Sequence, residues 1–205
     1  MLKNIFIIKI NMFKLKEYYF NYNDSINNIM LKFNSNILKI KLFYLNMLGR
    51  IKKNNFIINT NDSNKRSNSI LIIFPIEQTE FDVAKYSFRN LLSNSTKEYT
   101  YLINNVYYSN SHFMGTTYGF NYFNKKDKIT INNDFYRDDV INKKFDVIID
   151  LNYNFILDIA MLVNKIQSNY KVCLKNEYSD WFYNLQFECD TLEYGYDKIN
   201  SMLSI

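Results

Sequence analysis

The chain has 205 residues, which suffices for one α/β domain with an appendage, and its apolar fraction of 47% is ordinary for a globular protein. The first 53 residues carry a net charge of +8 and the rest of the chain carries −3, so only the N-terminal segment is basic and we expect no nucleic-acid partner. Two cysteines and a single histidine exclude a disulfide scaffold, a multi-histidine metal site and a histidine-based triad. We therefore expect neither a metal nor a cofactor.

The N-terminal segment, residues 1–58, is basic and contains the pattern of an amphipathic helix. From Ser25 onward apolar residues recur at steps of three and four, Asp24 or Ser25 can cap the helix, and Gly49 suits its left-handed C-cap position. Such a helix either packs against the following domain or another protein chain, or lies on an anionic membrane surface through residues 25–53. We favour packing or self-association, because amphipathic helices are commonly core elements.

Two features of the sequence bear on location. No apolar run reaches the length of a membrane span, since Lys and Asn interrupt every candidate, and the apolar start lacks the cleavage site of a signal peptide. We expect a cytoplasmic protein, which a membrane-binding helix would place at the inner face of the membrane.

A polar, aperiodic stretch at 59–68 predicts a linker, and residues 69–205 then alternate between strand and helix patterns. The apolar run at 144–152, bounded by acidic and polar residues, is typical of a strand buried on both faces of a parallel sheet. The other predicted elements are strands at 69–74, 98–104, 128–132 and 170–174, helices at 81–92, 138–143, 155–166 and 192–203, and an irregular region at 107–128. This order predicts an α/β fold, a three-layer Rossmann-like and mostly parallel sheet, preceded by the N-terminal amphipathic helical segment.

The candidate site residues lie where the central strand ends. Asp150 and Asn152 come last in the run at 144–152, and open α/β folds build their sites at the carboxyl ends of such strands. The sequence lacks a phosphate loop, a glycine-rich dinucleotide fingerprint and a nucleophile elbow. Asp and Glu are consequently the main candidate general bases.

Five short segments between about 69 and 190 form an ordered series of predicted strands and polar positions. They are 70–74, Asp82 with Val83, 145–152, Lys171 with Val172, and 182–184. This series resembles the N-terminal half of the heptosyltransferase-like glycosyltransferases of family 9. The resemblance implies the GT-B fold of two Rossmann-like domains, and transfer of a sugar from a nucleotide-heptose donor to the lipopolysaccharide core. By position it implies Asp82 as the catalytic base and Asp150 with Asn152 as substrate-binding residues, with a nucleotide-sugar or glycan as partner.

Several departures from the family pattern argue against a complete enzyme. Phe81 and Tyr153 stand where the family has glycine, and a side chain there blocks a close approach of the backbone to a ligand. The 205 residues also do not include the second domain, which binds the nucleotide-sugar in the family. Each candidate has a structural alternative as well: Asp82 can favour the N-terminal helix dipole, and Asp150 with Asn152 can hydrogen-bond the following turn and cap the next helix.

We therefore expect a non-catalytic or partial relative of a glycosyltransferase N-terminal domain, serving binding or assembly. The alternative is a sugar-transfer component that is completed by a donor-binding domain on another chain.

Overall fold

The structure is a computed structural model that describes residues 36–51, 69–89, 97–110, 113–123 and 128–203. The chain divides into two compact units, residues 1–50 and residues 51–205. The predicted linker at 59–68 and the first part of the predicted N-terminal helix, 25–35, lie outside the described residues. The predicted domain bounds therefore stay predictions.

The described part of the first unit is a helix, α1, over residues 36–47. It ends as predicted before Gly49, which adopts the left-handed conformation with a φ of 65°. The backbone N–H of Gly49 donates to the carbonyl oxygen of Asn46 at 2.9 Å, and that of Arg50 donates to the carbonyl oxygen of Leu45 at 3.0 Å. These two bonds form a Schellman motif, which satisfies carbonyl groups that the helix end would otherwise leave without partners.

The second unit is built on one sheet, with seven strands among the described residues. The strands are β1 (Ser69–Ile73), β2 (Glu98–Asn104), β3 (Thr116–Phe123), β4 (Lys128–Ile131), β5 (Lys144–Asp150), β6 (Gln167–Leu174) and β7 (Leu185–Phe187). They lie in the order β4-β3-β2-β1-β5-β6-β7, and the neighbouring pairs are parallel except for β3 with β4. The helices are α2 (Gln78–Ser87), α3 (Asn133–Arg137), α4 (Leu157–Lys165) and α5 (Leu192–Leu203). The predicted Rossmann-like, three-layer α/β fold is confirmed.

Alternation along β5 directs its side chains to the two faces of the sheet. Val147, Ile149 and Leu151 are buried and pack in one apolar cluster with residues of β1, β2, α2 and α5. Ile148 and Asp150 lie on the opposite face and are buried as well. The right-handed crossover from β5 through α4 to β6 places α4 on this face. Because both faces are covered, the strand has the continuous apolar sequence that predicted it. No helix among the described residues is both long and apolar enough to cross a membrane.

Several elements differ from the sequence prediction. β3 lies within the region that was predicted to be irregular. The sequence did not indicate a strand there because Gly115 and Gly119 are residues typical of loops. β7 has three residues and was not predicted, and α2 begins at Gln78 rather than at Phe81. The range 138–143, predicted to be a short helix, contains only a 3-10 turn at Val140–Asn142, and α3 ends before it at Arg137.

Candidate functional site at the carboxyl edge of the sheet

The strand order reverses direction at β1, which has β2 on one side and β5 on the other. These two pairs are parallel, and Ile73 at the end of β1 lies opposite Asp150 at the end of β5. Ligands of open α/β sheets bind outside the carboxyl ends of the strands at such a reversal. The ends of β1 and β5, with the loops at 74–77 and 151–156 that follow them, are therefore the candidate site, which we name the carboxyl edge.

The side chain of Asp150 is buried at the carboxyl edge, and both of its oxygen atoms accept hydrogen bonds. Its Oδ1 accepts from the backbone N–H of Asn152 at 3.1 Å and from the side-chain Nδ2 of Asn152 at 2.7 Å. Its Oδ2 accepts from the hydroxyl of Tyr183 at 2.5 Å. Burial raises the pKa of Asp150, and the hydrogen bonds from Tyr183 and Asn152 oppose this rise.

Asn152 connects the two loops of the carboxyl edge. Its Oδ1 accepts from the backbone N–H of Ile76, in the loop after β1, at 3.0 Å, while its Nδ2 donates to Asp150. The structure therefore brings together Asp150 and Asn152, and it forms the predicted bond from Asp150 to the following turn. The predicted cap is wrong, because α4 begins after Ile156, which makes no side-chain cap hydrogen bond.

Two tyrosines complete this network: Tyr183, which belongs to the 182–184 part of the resemblance but was not predicted to bond Asp150, and Tyr196, which was not a predicted site residue. Burial, followed by the charge of Asp150, raises the pKa of Tyr183 well above its ordinary value, so its hydroxyl stays protonated and donates. The hydroxyl of Tyr196, on α5, donates to the carbonyl oxygen of Leu151 at 2.8 Å. A buried tyrosine usually needs a partner for its hydroxyl, which is the one sequence signal that could have pointed to these residues.

A second buried carboxylate, Glu80, lies at the same edge. Its Oε2 accepts from the backbone N–H of Tyr153 at 3.2 Å, and the residue is 7% exposed. Burial raises the pKa of Glu80, the bond from Tyr153 opposes the rise, and the charges of Glu77 and Asp150 add to it. The sequence prediction missed Glu80 because it placed this residue in a loop, whereas it lies in the first turn of α2.

Asp82, the predicted catalytic base, lies on the exposed side of α2. Its Oδ2 accepts from the Nε2 of Gln78, one turn earlier in the same helix, at 2.9 Å. Since α2 begins at Gln78, Asp82 lies beyond its first turn, so the predicted structural role at the helix N-terminus does not apply. The charge of Asp82 nevertheless affects a group at the carboxyl edge. The hydroxyl of Tyr107 donates to the carbonyl oxygen of Ile76, in the loop after β1, and burial, then the charges of Glu77 and Asp82, raise the pKa of Tyr107.

The carboxyl edge is thus acidic. Glu77, Glu80, Asp82 and Asp150 each raise the pKa of some neighbouring group there, and each would repel a diphosphate. Among the described residues, no group of three or more His, Cys, Asp or Glu side chains could hold a metal ion. The site therefore offers two buried, internally bonded carboxylates, Asp150 and Glu80, and two exposed ones, Glu77 and Asp82.

Comparisons of the chain with protein-family models, with curated proteins and with solved structures give no match. The resemblance to heptosyltransferase-like glycosyltransferases therefore stays a prediction. What the structure establishes is a Rossmann-like α/β fold with a polar network at its strand-order reversal.

Proposed function

We propose that the α/β domain is a non-catalytic relative of a glycosyltransferase N-terminal domain and serves binding or assembly. One observation carries this proposal: Asp150 is buried, and both of its oxygen atoms are occupied by donors of the protein itself. The role predicted for Asp150, substrate binding, needs a carboxylate oxygen that a hydroxyl of the ligand can approach and donate to. Asp150 would reach a substrate only after its bonds to Tyr183 and Asn152 had broken.

The side-chain amide of Asn152 is likewise occupied by hydrogen bonds within the protein. Its amide oxygen accepts from Ile76 and its amide nitrogen donates to Asp150, so a substrate hydroxyl would have to displace one of these bonds. That displacement would release the loop after β1 from the loop after β5 and leave a buried polar group without a partner. The pair is therefore better suited to hold the carboxyl edge together than to bind a sugar.

Aromatic packing beside the edge also disfavours a phosphate site. Phe81 is 1% exposed, and its ring stacks on Tyr107 with centroids 4.6 Å apart and contacts Phe74 with centroids 5.6 Å apart. A phosphate cradle needs backbone N–H groups that a ligand can approach, which glycine usually provides. At Phe81 the chain has a buried aromatic cluster, with the carboxylates of Glu77 and Asp82 close by.

A calorimetric titration of the full-length chain with nucleotide-sugars tests the proposal. We expect affinities no better than about millimolar, and neither hydrolysis nor transfer. Asp82→Asn and Asp150→Asn remove the candidate carboxylates, and Glu98→Gln is the matched control, since it neutralises an exposed carboxylate at the start of β2, on the opposite edge. Micromolar affinity that either site variant weakens and Glu98→Gln does not would overturn the non-catalytic assignment.

The exposure of Asp82 favours a second candidate, a sugar-transfer component completed by a donor-binding domain on another chain. Unlike Asp150, Asp82 has a carboxylate open to solvent near the carboxyl edge. This candidate predicts that the isolated chain is inactive and that sugar transfer appears when a chain with a donor-binding domain is added. Loss of that activity in Asp82→Asn, with retention in Glu98→Gln, would favour this candidate over a non-catalytic domain.

A further inference from the structure

We propose that α1 docks this protein onto an anionic membrane surface through an exposed apolar face flanked by basic residues. The proposal concerns the first unit of the chain and does not depend on whether the α/β domain is catalytic. Vesicle binding and nucleotide-sugar titration are separate measurements, so either proposal can fail without the other.

The apolar face of α1 consists of large side chains that are between 46% and 69% exposed. Its members are Ile37, Ile40, Phe43, Tyr44, Met47 and Leu48. At 100° per residue they span about 140° of the helix circumference, which makes a continuous stripe along the helix. Leu42, which is buried, lies on the opposite side. An amphipathic helix of a globular protein normally turns its apolar stripe toward the core, whereas the stripe of α1 is exposed to solvent.

The charged residues of the described segment 36–51 are all basic. On the helix circumference Lys41 lies beside one border of the apolar face and Lys39 lies near the other, and Arg50 follows the helix end. Residues 36–51 contain no Asp or Glu, and across 25–53 the sequence has six Lys or Arg and no acidic residue. Basic residues on both sides of an apolar face are typical of helices that lie in a membrane interface, because long basic side chains reach the headgroups while the apolar face enters the acyl region.

Charge also decides between a membrane and a second copy of the chain. A dimer through the apolar face would bring two helix axes to about 8–10 Å and place the lysines of both copies close together. Residues 25–53 contain no Asp or Glu, so a dimer through this segment would bring Lys41 of one copy near Lys41 of the other, and like charge would oppose it. An anionic bilayer offers both the apolar environment and the opposite charge, while a nucleic acid offers the charge without an apolar surface. We therefore depart from the packing or self-association that the sequence favoured.

Flotation of the full-length chain with lipid vesicles tests the proposal. One set of vesicles is phosphatidylcholine alone, and the other contains roughly one part phosphatidylserine to two parts phosphatidylcholine. We expect binding to the anionic vesicles that weakens on raising the salt from about 0.05 to about 0.5 M, because salt screens the lysines from the headgroups. Lys41→Gln should lower the affinity for anionic vesicles about fivefold, the usual contribution of one cation near such a surface.

Two neighbouring substitutions separate the apolar contact from charge alone. Met47→Asp places a carboxylate in the apolar face, and Asn46→Asp makes the same change of charge one residue away, at an exposed position outside that face. Met47→Asp should weaken binding at least about tenfold more than Asn46→Asp, since only Met47 enters the acyl region. Both positions are exposed, so circular dichroism and thermal melting should show both variants folded like the parent.

Three results would overturn the proposal. The first is no binding to phosphatidylserine vesicles at low salt, and the second is an equal loss of binding for Met47→Asp and Asn46→Asp. The third is a dimer of the full-length chain in sedimentation that Met47→Asp dissociates, with no vesicle binding, which would assign the apolar face to a second copy.

Discussion

Replacement of Tyr183 by phenylalanine tests whether Asp150 is a buried, ionised anchor of the carboxyl edge. The substitution removes one hydroxyl and keeps the ring, so Oδ2 of Asp150 loses its donor. Water is a poor replacement, since Asp150 and Tyr183 are only 5% and 6% exposed. Hydrogen bonds to charged groups contribute about 1.5–3 kcal/mol, and a buried carboxylate left partly unsatisfied adds to the loss. We expect the free energy of unfolding to fall by about 2–4 kcal/mol near neutral pH.

The loss should depend on pH, because the Tyr183 bond stabilises the ionised form of Asp150. Burial raises the pKa of Asp150 from its ordinary value of 3.8, the Tyr183 bond lowers it, and the variant should raise it further. Above these pKa values the carboxylate is ionised in both proteins, and the full loss is measured. As the pH falls through them, Asp150 takes up a proton and the lost bond is one between neutral groups, so the difference should shrink toward about 1 kcal/mol.

Urea denaturation at about pH 5 and about pH 7.5 measures both quantities. Trp181, the single tryptophan of the chain, lies two residues before Tyr183 and supplies the fluorescence signal. Tyr118→Phe is the matched control: the Tyr118 hydroxyl donates to Oδ2 of Asp138 at 3.1 Å, but the side chain of Asp138 is 44% exposed and water can replace the donor. We expect the control to lose less than about 1 kcal/mol. Equal losses for the two variants, at both pH values, would refute the reasoning.

Three further predictions concern the core and the acidic edge. Ile149→Ala should lower the free energy of unfolding by about 2–4 kcal/mol, as truncation of a fully buried aliphatic side chain does, and a loss below about 1 kcal/mol in urea denaturation would contradict a central position for β5. Glu80→Gln should remove a decline of stability with rising pH. The raised pKa means that the folded protein holds the Glu80 proton more tightly than the unfolded chain, so the parent loses stability as the pH rises from the ordinary 4.5 through the raised value. An unchanged stability–pH curve in the variant would contradict this. Gly195→Ala should lower the melting temperature, since its Cβ would lie 2.8 Å from the Cβ of Cys189 and 2.9 Å from Cδ2 of Leu174, and overpacking of about 1–3 kcal/mol outweighs the roughly 1 kcal/mol gained in helix propensity. A higher melting temperature would mean that these neighbours move aside easily.

Local patterns in the sequence determined most of the secondary structure. β2 and α5 have their predicted bounds, Glu98–Asn104 and Leu192–Leu203, and β5 begins at the predicted residue. The helix end at Gly49 was also predictable, because the left-handed conformation is a property of that residue and its immediate neighbours. Elements with a weak internal signal were missed: β3 contains glycine and polar residues, and β7 is a three-residue strand that exists through its pairing with β6.

Tertiary structure alone decided how the polar groups of the carboxyl edge are used. The sequence determined that Asp150 and Asn152 lie there, since the end of a buried parallel strand is readable from its apolar run. It carried no information about their partners: Tyr183 reaches Asp150 from 33 residues away, and Asn152 binds Ile76 across 76 residues. Such contacts follow from the strand order, which places the loops after β1 and β5 side by side, and from the packing that buries them. For that reason residue identity predicted a polar site, and only the fold decided that the protein satisfies this site with its own hydrogen bonds.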